Sequence, residues 1–245
     1  EDEALINRLG FNNVGPTQAA NNINNDAPKG LLGINIGPNK DTTNRINDYL
    51  KCFRTLYNLG DYITVNISSP NTENLRSFHN PKELEELLKV INEEKTKVSS
   101  STNIAVKIAP DLNFKDLDLI GNILINNGVK LIIISNTSDR SRDNLKNINK
   151  FEKGGLSGKP IEKKSNLIIK EFYKIFKNKI KIIGVGGVDS GKSAYEKFSS
   201  GANYVQLYTG MVYQGPNIVN KISEELDGIL SSDGVKNIEE IVGSN

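Results

Sequence analysis

KIKIIGVGGVDSGKS, residues 179–193, decides the fold, because it reads in two ways. Its last eight letters match G-x-x-x-x-G-K-S, the phosphate loop of nucleotide triphosphatases, and an apolar strand-like run precedes them. On that reading the chain is a doubly wound sheet with one switch point. On the other, GVGG ends a barrel strand, and Lys192 and Ser193 begin a solvent-facing helix. Four fixed letters match by chance on the order of a few times per hundred chains this rich in Gly, Lys and Ser. The neighbouring sequence must therefore choose.

Outward from this stretch, short apolar runs alternate with amphipathic ones. GLLGINIG (30–37), DYITVNIS (61–68), NIAVKIAP (103–110), KLIIISNT (130–137), KIKIIGVGG (179–187) and ANYVQLYTG (202–210) read as strands. Helices are expected over 42–60, from Pro81 to about 94, and over 114–128, 161–178, 191–201 and 216–234. Strand and helix in alternation mean a parallel sheet with crossover helices. The strand ends then separate barrel from doubly wound sheet. GINIG, VNISSPN, VKIAP, SNTS, GVGG and LYTG all carry polar or glycine residues, so function collects at every strand end and not at one switch point. A single strand follows the phosphate-loop match, and NIS, IAP and SNT end without an acid to hold Mg²⁺. The sequence therefore predicts an α/β chain with a (β/α)₈ barrel. Residues 1–245 read as one domain holding about strands 3 to 8, with two strands expected before residue 1.

Composition narrows the function. The 245 residues carry a net charge of +2 and no run of five like charges, so neither nucleic acid nor an anionic surface is implied. No stretch reaches the ~18 apolar residues of a membrane span. The only cysteine, Cys52, lies in a predicted helix and reads as packing, and the only histidine, His79, reads as a surface or loop residue. No metal site is expected. The chain opens EDEALINR without an initiator methionine, Met211 being the only one, which suggests a fragment or a processed form.

Several residues could carry chemistry. Period-two alternation puts Ala105, Lys107 and Ala109 on one strand face, leaving room beside a cation for something flat and negatively polarised. The plain alternative is a strand-end lysine reaching solvent or a salt bridge. Asn7, Asn66, Asn71 and Asn136, with Ser68, Ser69 and Thr72, offer paired donors and acceptors that suit a neutral ring such as a pyrimidine. Turn-forming Asn is the alternative in so Asn-rich a chain. Ser69 lacks a His or Asp partner and is no triad nucleophile, but it could accept a proton from an acidified C–H, with water relaying. The glycine turns GGLSGKP and GVGGVDSG suit a phosphate, or are ordinary tight turns.

INRLGFNN, GINIGPNK, VNISSPNTENLR, VKIAPDL, SNTS, GGLSGKP, IIGVGGVDSG and VQLYTG together resemble the class 2 dihydroorotate dehydrogenases in order and spacing, from residue 1 to near the end. The resemblance implies a flavin mononucleotide (FMN) barrel that oxidises dihydroorotate to orotate in pyrimidine synthesis. It implies that Ser69 takes the C5 proton while a hydride leaves C6 for the flavin. Serine there, where class 1 has cysteine, implies electrons passing to a ubiquinone-type acceptor. Asn7, Arg8, Leu9, Gly10, Phe11, Asn66, Asn71, Asn136 and Thr137 match substrate positions. Asn35, Asn66, Lys107, Ser135, Ser157, Gly158, Gly186, Gly187, Tyr208 and Thr209 match flavin positions, with Lys107 beside the ring.

Asn74 departs from the family's usual glycine, yet Asn tolerates a left-handed backbone; SGKSA replaces a more usual SG-x-D-A. Membrane association is expected through an N-terminal part outside this chain. The expected location is the mitochondrial inner membrane, with a bacterial cytoplasmic membrane as the alternative. A class 1 enzyme, another flavin barrel acting on a related ring and a nucleotide-binding protein of the phosphate-loop kind remain as other readings.

Overall fold

The computed structural model describes residues 1–72, 74–140 and 142–245. Strands β1 (Ala4–Asn7) and β6 (Gly155–Gly158) form a small antiparallel ribbon, Ala4 opposite Gly158 and Asn7 opposite Gly155. The other six are parallel: β2 (Gly33–Ile36), β3 (Tyr62–Asn66), β4 (Asn103–Ile108), β5 (Leu131–Ile134), β7 (Lys181–Val185) and β8 (Tyr204–Gln206). They pair in the order β2-β3-β4-β5-β7-β8, so order in space follows order along the chain and never reverses. The helices are α1 (Pro16–Asn25), α2 (Arg45–Leu56), α3 (Pro81–Lys97), α4 (Phe114–Asn126), α5 (Glu162–Phe176), α6 (Gly191–Ser199), α7 (Thr209–Gln214) and α8 (Ile218–Ser232). Each of α1 to α5 packs on the next, and α6 packs on α8. One continuous helical layer over a sheet without a reversal is a partial (β/α)₈ barrel, not a doubly wound sheet.

The strand alternation explains why the sheet curls this way. Ile34, Ile63, Val65, Ile104, Val106, Ile132 and Ile182 face the helices and join Phe53, Leu84, Leu117 and Phe172 in the main core. Burying each such side chain stabilises the fold by about 1.5–3 kcal/mol. The other face is much poorer in apolar groups. Ala105, Ile133 and Ile183 make a small separate cluster there, and Asn35, Thr64, Asn66, Lys107 and Gln206 line open space beside it.

Local chemistry sets the helix ends. Asn80 Oδ1 accepts from the Lys82 N–H at 3.0 Å and Pro81 takes the first position, as expected for α3. α2 begins at Arg45, later than expected, because Asn44 caps it through the Asn47 N–H. It stops at Leu56 and does not run to Gly60. The sequence reading missed α1: PTQAANNINN offers only Ala19, Ala20 and Ile23 to the core. It also missed β1 and α7 and took β6 for a glycine turn. These elements are four to six residues long and show no periodicity.

The two readings of 179–193 are resolved at the start of α6. Ser190 caps the helix in a reciprocal capping box with Ser193. The first helical N–H, of Gly191, donates to Glu225 Oε2 at 2.6 Å. A carboxylate thus occupies the place where a phosphate loop would hold its anion. Lys192 is exposed, as expected. Ser193 is not: it is buried, and its hydroxyl accepts from the Asp189 and Ser190 N–H groups. Deeper in the same helix, Lys197 is fully buried and donates to Asn166 Oδ1 of α5 at 2.5 Å. Burial pushes its ammonium down to about 7.

Candidate active site

The C-terminal ends of the strands open into two adjoining cavities. The first, about 310 Å³, is lined by Lys107, Ser135, Ser157, Gly158, Gly186, Gly187, Tyr208 and Thr209, with Asn136 and Thr137 at its side. The second, about 830 Å³, is lined by Asn35, Asn66 and Ser69 and by the run from Asn7 to Phe11. Asn7, Lys107, Asn136, Ser157 and Tyr208 border both. Of the positions matched to substrate and flavin, Asn71 alone lines neither, and it is hydrogen-bonded to one that does; Ser68 and Thr72 also lie outside both.

β3 ends in Asn66, whose Oδ1 accepts from the Ser68 hydroxyl at 2.8 Å and from Asn136 Nδ2 at 3.3 Å. Asn136 Nδ2 also donates to Ser68 Oγ at 2.9 Å. Ser69 is buried beside this cluster, and its Oγ accepts from the Asn71 N–H at 3.2 Å. Asn71 Nδ2 reaches across to Asn7 O and Oδ1 at 3.0 and 3.2 Å. Loop and ribbon are thereby tied over the larger cavity. Arg8 departs from this pattern. Its guanidinium turns outward to Lys153 O and Glu152, and Leu9 is also largely exposed. Phe11 packs against Gly37 and the main core.

Lys107 lies deep beside the smaller cavity and has no carboxylate partner among the described residues. Burial pushes its ammonium below the usual lysine range. The Ser135 hydroxyl is buried without a hydrogen-bond partner among the described residues, as is that of Thr72. At the far end, Thr209 Oγ1 donates to Ser157 Oγ at 2.8 Å. Gly187 follows β7 at φ 78°, and a Cβ there would stand 2.3 Å from that of Glu162. Only glycine lets the turn approach α5 so closely.

A short helical turn, Leu75–His79, carries groups that sequence reasoning missed. Arg76 donates from Nε to Ser68 O at 3.1 Å and from Nη2 to Thr137 O at 3.0 Å. Its Nη1 meets Asp111 at 3.2 Å and Asp139 at 2.8 Å. The Asp111 side chain is 3% exposed and also takes hydrogen bonds from Ser138 Oγ and Lys164 Nζ. The signal was present one letter past IAP, where Asp111 follows Pro110. His79 lies in the loop after β3, one of the two places expected for it, but it is half-buried and not open to solvent. Its Nδ1 faces Arg76 O at 2.9 Å, and its Nε2 accepts from the Ala109 N–H at 3.2 Å. Burial pushes its pKa down to about 4, so the ring is neutral. Asn74 takes the left-handed conformation, φ 53°, that its place in the loop requires.

The Dihydroorotate dehydrogenase family model matches residues 1–230. The chain belongs to the dihydroorotate dehydrogenase family. Among curated relatives, the Idiomarina loihiensis dihydroorotate dehydrogenase (quinone) is 42% identical over 232 residues, 92% of this chain and 69% of that one. The Buchnera aphidicola dihydroorotate dehydrogenase (quinone) is 44% identical over 230 residues, 91% of this chain and 68% of that one. Among solved structures, Eimeria tenella DHODH in complex with ferulenol superposes with a TM-score of 0.92 at 30% identity, covering 99% of this chain and 72% of that one. The ligand-free Eimeria tenella form gives 0.93. These curated dihydroorotate dehydrogenases come from bacteria. They give no support to the expected mitochondrial membrane and are consistent with the bacterial alternative. No helix among the described residues is long and apolar enough to cross a membrane.

Proposed function

We propose that this chain oxidises dihydroorotate to orotate, with FMN as the immediate acceptor and a ubiquinone-type molecule at a membrane as the final one. The observation that carries the reading is one juxtaposition: the buried Ser69 hydroxyl, the amides of Asn7, Asn66 and Asn136, and Lys107, which has no carboxylate partner among the described residues, border one space, with Asn71 hydrogen-bonded to Asn7 at its edge. Family membership supports it, as does the quinone in the relatives' names.

The residues fit a flavin. A half-buried ammonium with no carboxylate partner among the described residues is costly unless negative charge comes to it, and a flavin ring that becomes anionic on reduction would supply that charge. Ser135 Oγ is a buried hydroxyl without a hydrogen-bond partner among the described residues. Ser157, Gly158, Gly186, Gly187, Tyr208 and Thr209 would hold the ribityl and phosphate end, and Asn35 and Asn66 the other side. When bound, FMN supplies a two-electron acceptor for the hydride that leaves C6. The chain's own residues do the rest. The four amides pair with the alternating N–H and C=O groups of the substrate ring and fix its orientation. Asn71 holds Ser69 Oγ through a backbone N–H. Ser69 Oγ takes the proton from C5 and releases its own to water.

Ser69→Ala tests this in stopped-flow traces of flavin reduction by dihydroorotate. The expected result is a fall of roughly 10²–10⁴-fold with flavin content unchanged. An unchanged rate would remove Ser69 from proton transfer.

A further inference from the structure

Beyond the groups that touch substrate, we infer that Arg76 is the positioning residue that sets Ser69 against the Asn136–Thr137 segment. This rests on the functional reading above. One guanidinium donates to Ser68 O, directly before Ser69, and to Thr137 O, directly after Asn136. The two strand-end loops are otherwise joined through the short amide and hydroxyl contacts among Asn66, Ser68 and Asn136.

The guanidinium is itself held firmly. Asp111 comes from the end of β4 and Asp139 from the loop after β5. Asp111 is in turn fixed by Ser138 and by Lys164 of α5. Three consecutive strand ends and one helix therefore converge on a single planar fork. The charges balance, with Arg76 and Lys164 against Asp111 and Asp139. The cluster thus adds no net charge beside Ser69, and its role is geometric. A lysine at position 76 would keep that balance but could not donate in a plane to two carbonyls and two carboxylates at once.

The test is flavin reduction by dihydroorotate in the full, FMN-loaded chain, across pH, for Arg76→Lys and for the milder Asp139→Asn. Asp139 is half-exposed and holds only one corner of the fork. For Arg76→Lys the expected result is a saturating rate lowered ~10²-fold, as a misplacement of about 1 Å would cause. Substrate affinity should change less than about threefold, and the pKa of the pH–rate profile should stay put because charge is retained. Asp139→Asn should lie between the two. A purely structural role would instead lower the melting temperature and leave the rate of the folded fraction untouched. If both variants reduce flavin at the parent rate, the inference falls alone. If the parent chain is not reduced by dihydroorotate at all, the functional reading falls with it.

Discussion

Single residues at the mouth of the barrel divide into those that face ligand and those that hold the frame, and His79 belongs to the second kind. Both ring nitrogens are engaged by backbone groups of different strand-end loops. Its folded pKa of about 4 lies below the ordinary histidine value. The unfolded chain therefore binds the extra proton first, and stability present above pH ~6.5 is lost as pH falls toward 4. The loss amounts to about 3 kcal/mol at the low end. In urea titrations from pH 7 to 4, His79→Gln should start lower and fall less steeply than the parent; parallel curves would contradict the assignment. At this scale Ser69 and Lys107 were legible because each is a polar group within or just past an apolar strand. Arg76 was not. Its partners Asp111 and Thr137 lie 35 and 61 residues away, and only the fold brings them together.

Elements with many apolar residues were legible, and those without were not. β3, β4, β5 and β7 show their outward Ile and Val rows directly, whereas β1 is only four residues long, β6 is glycine-rich and α1 is mostly polar. The pairing of α5 with α6 shows how one element can work against stability. Lys197 of α6 is fully buried with Asn166 Oδ1 of α5 as its hydrogen-bond acceptor. Its pKa of about 7 in the folded chain is far below that of an unfolded lysine. The unfolded chain holds more protons between pH 7 and about 10, so stability rises through that window, by up to about 4 kcal/mol. Lys197→Met should unfold at higher urea than the parent at pH 7, with the gap closing toward pH 10. A gap that does not narrow would mean that the burial penalty is not the cause.

For the whole molecule, the deciding facts are that the strand order never reverses and that the cavities draw on nearly every strand end. Both were legible from the polar letters closing each apolar run. The antiparallel ribbon across the opening was not, since β1 and β6 carry no strand pattern of their own. A ligand held by so many elements must stabilise them together. FMN at a hundred times its dissociation constant should contribute about 2.7 kcal/mol. For a chain of this size that raises the melting temperature by on the order of 5–10 °C. Lys107→Met should show a smaller rise at the same FMN concentration. No rise in the parent would count against a flavin in this cavity.

The β1–β6 ribbon also bears on how the molecule assembles. Its partners lie about 150 residues apart along the chain, and the whole sheet from β2 to β5 lies between them. Loop closure over that distance becomes affordable only once the intervening strands have paired. The ribbon should therefore dock late and be released early. Hydrogen exchange at the β1–β6 amides should accordingly be faster than in the parallel sheet beneath, and equal protection would contradict a separate cooperative unit.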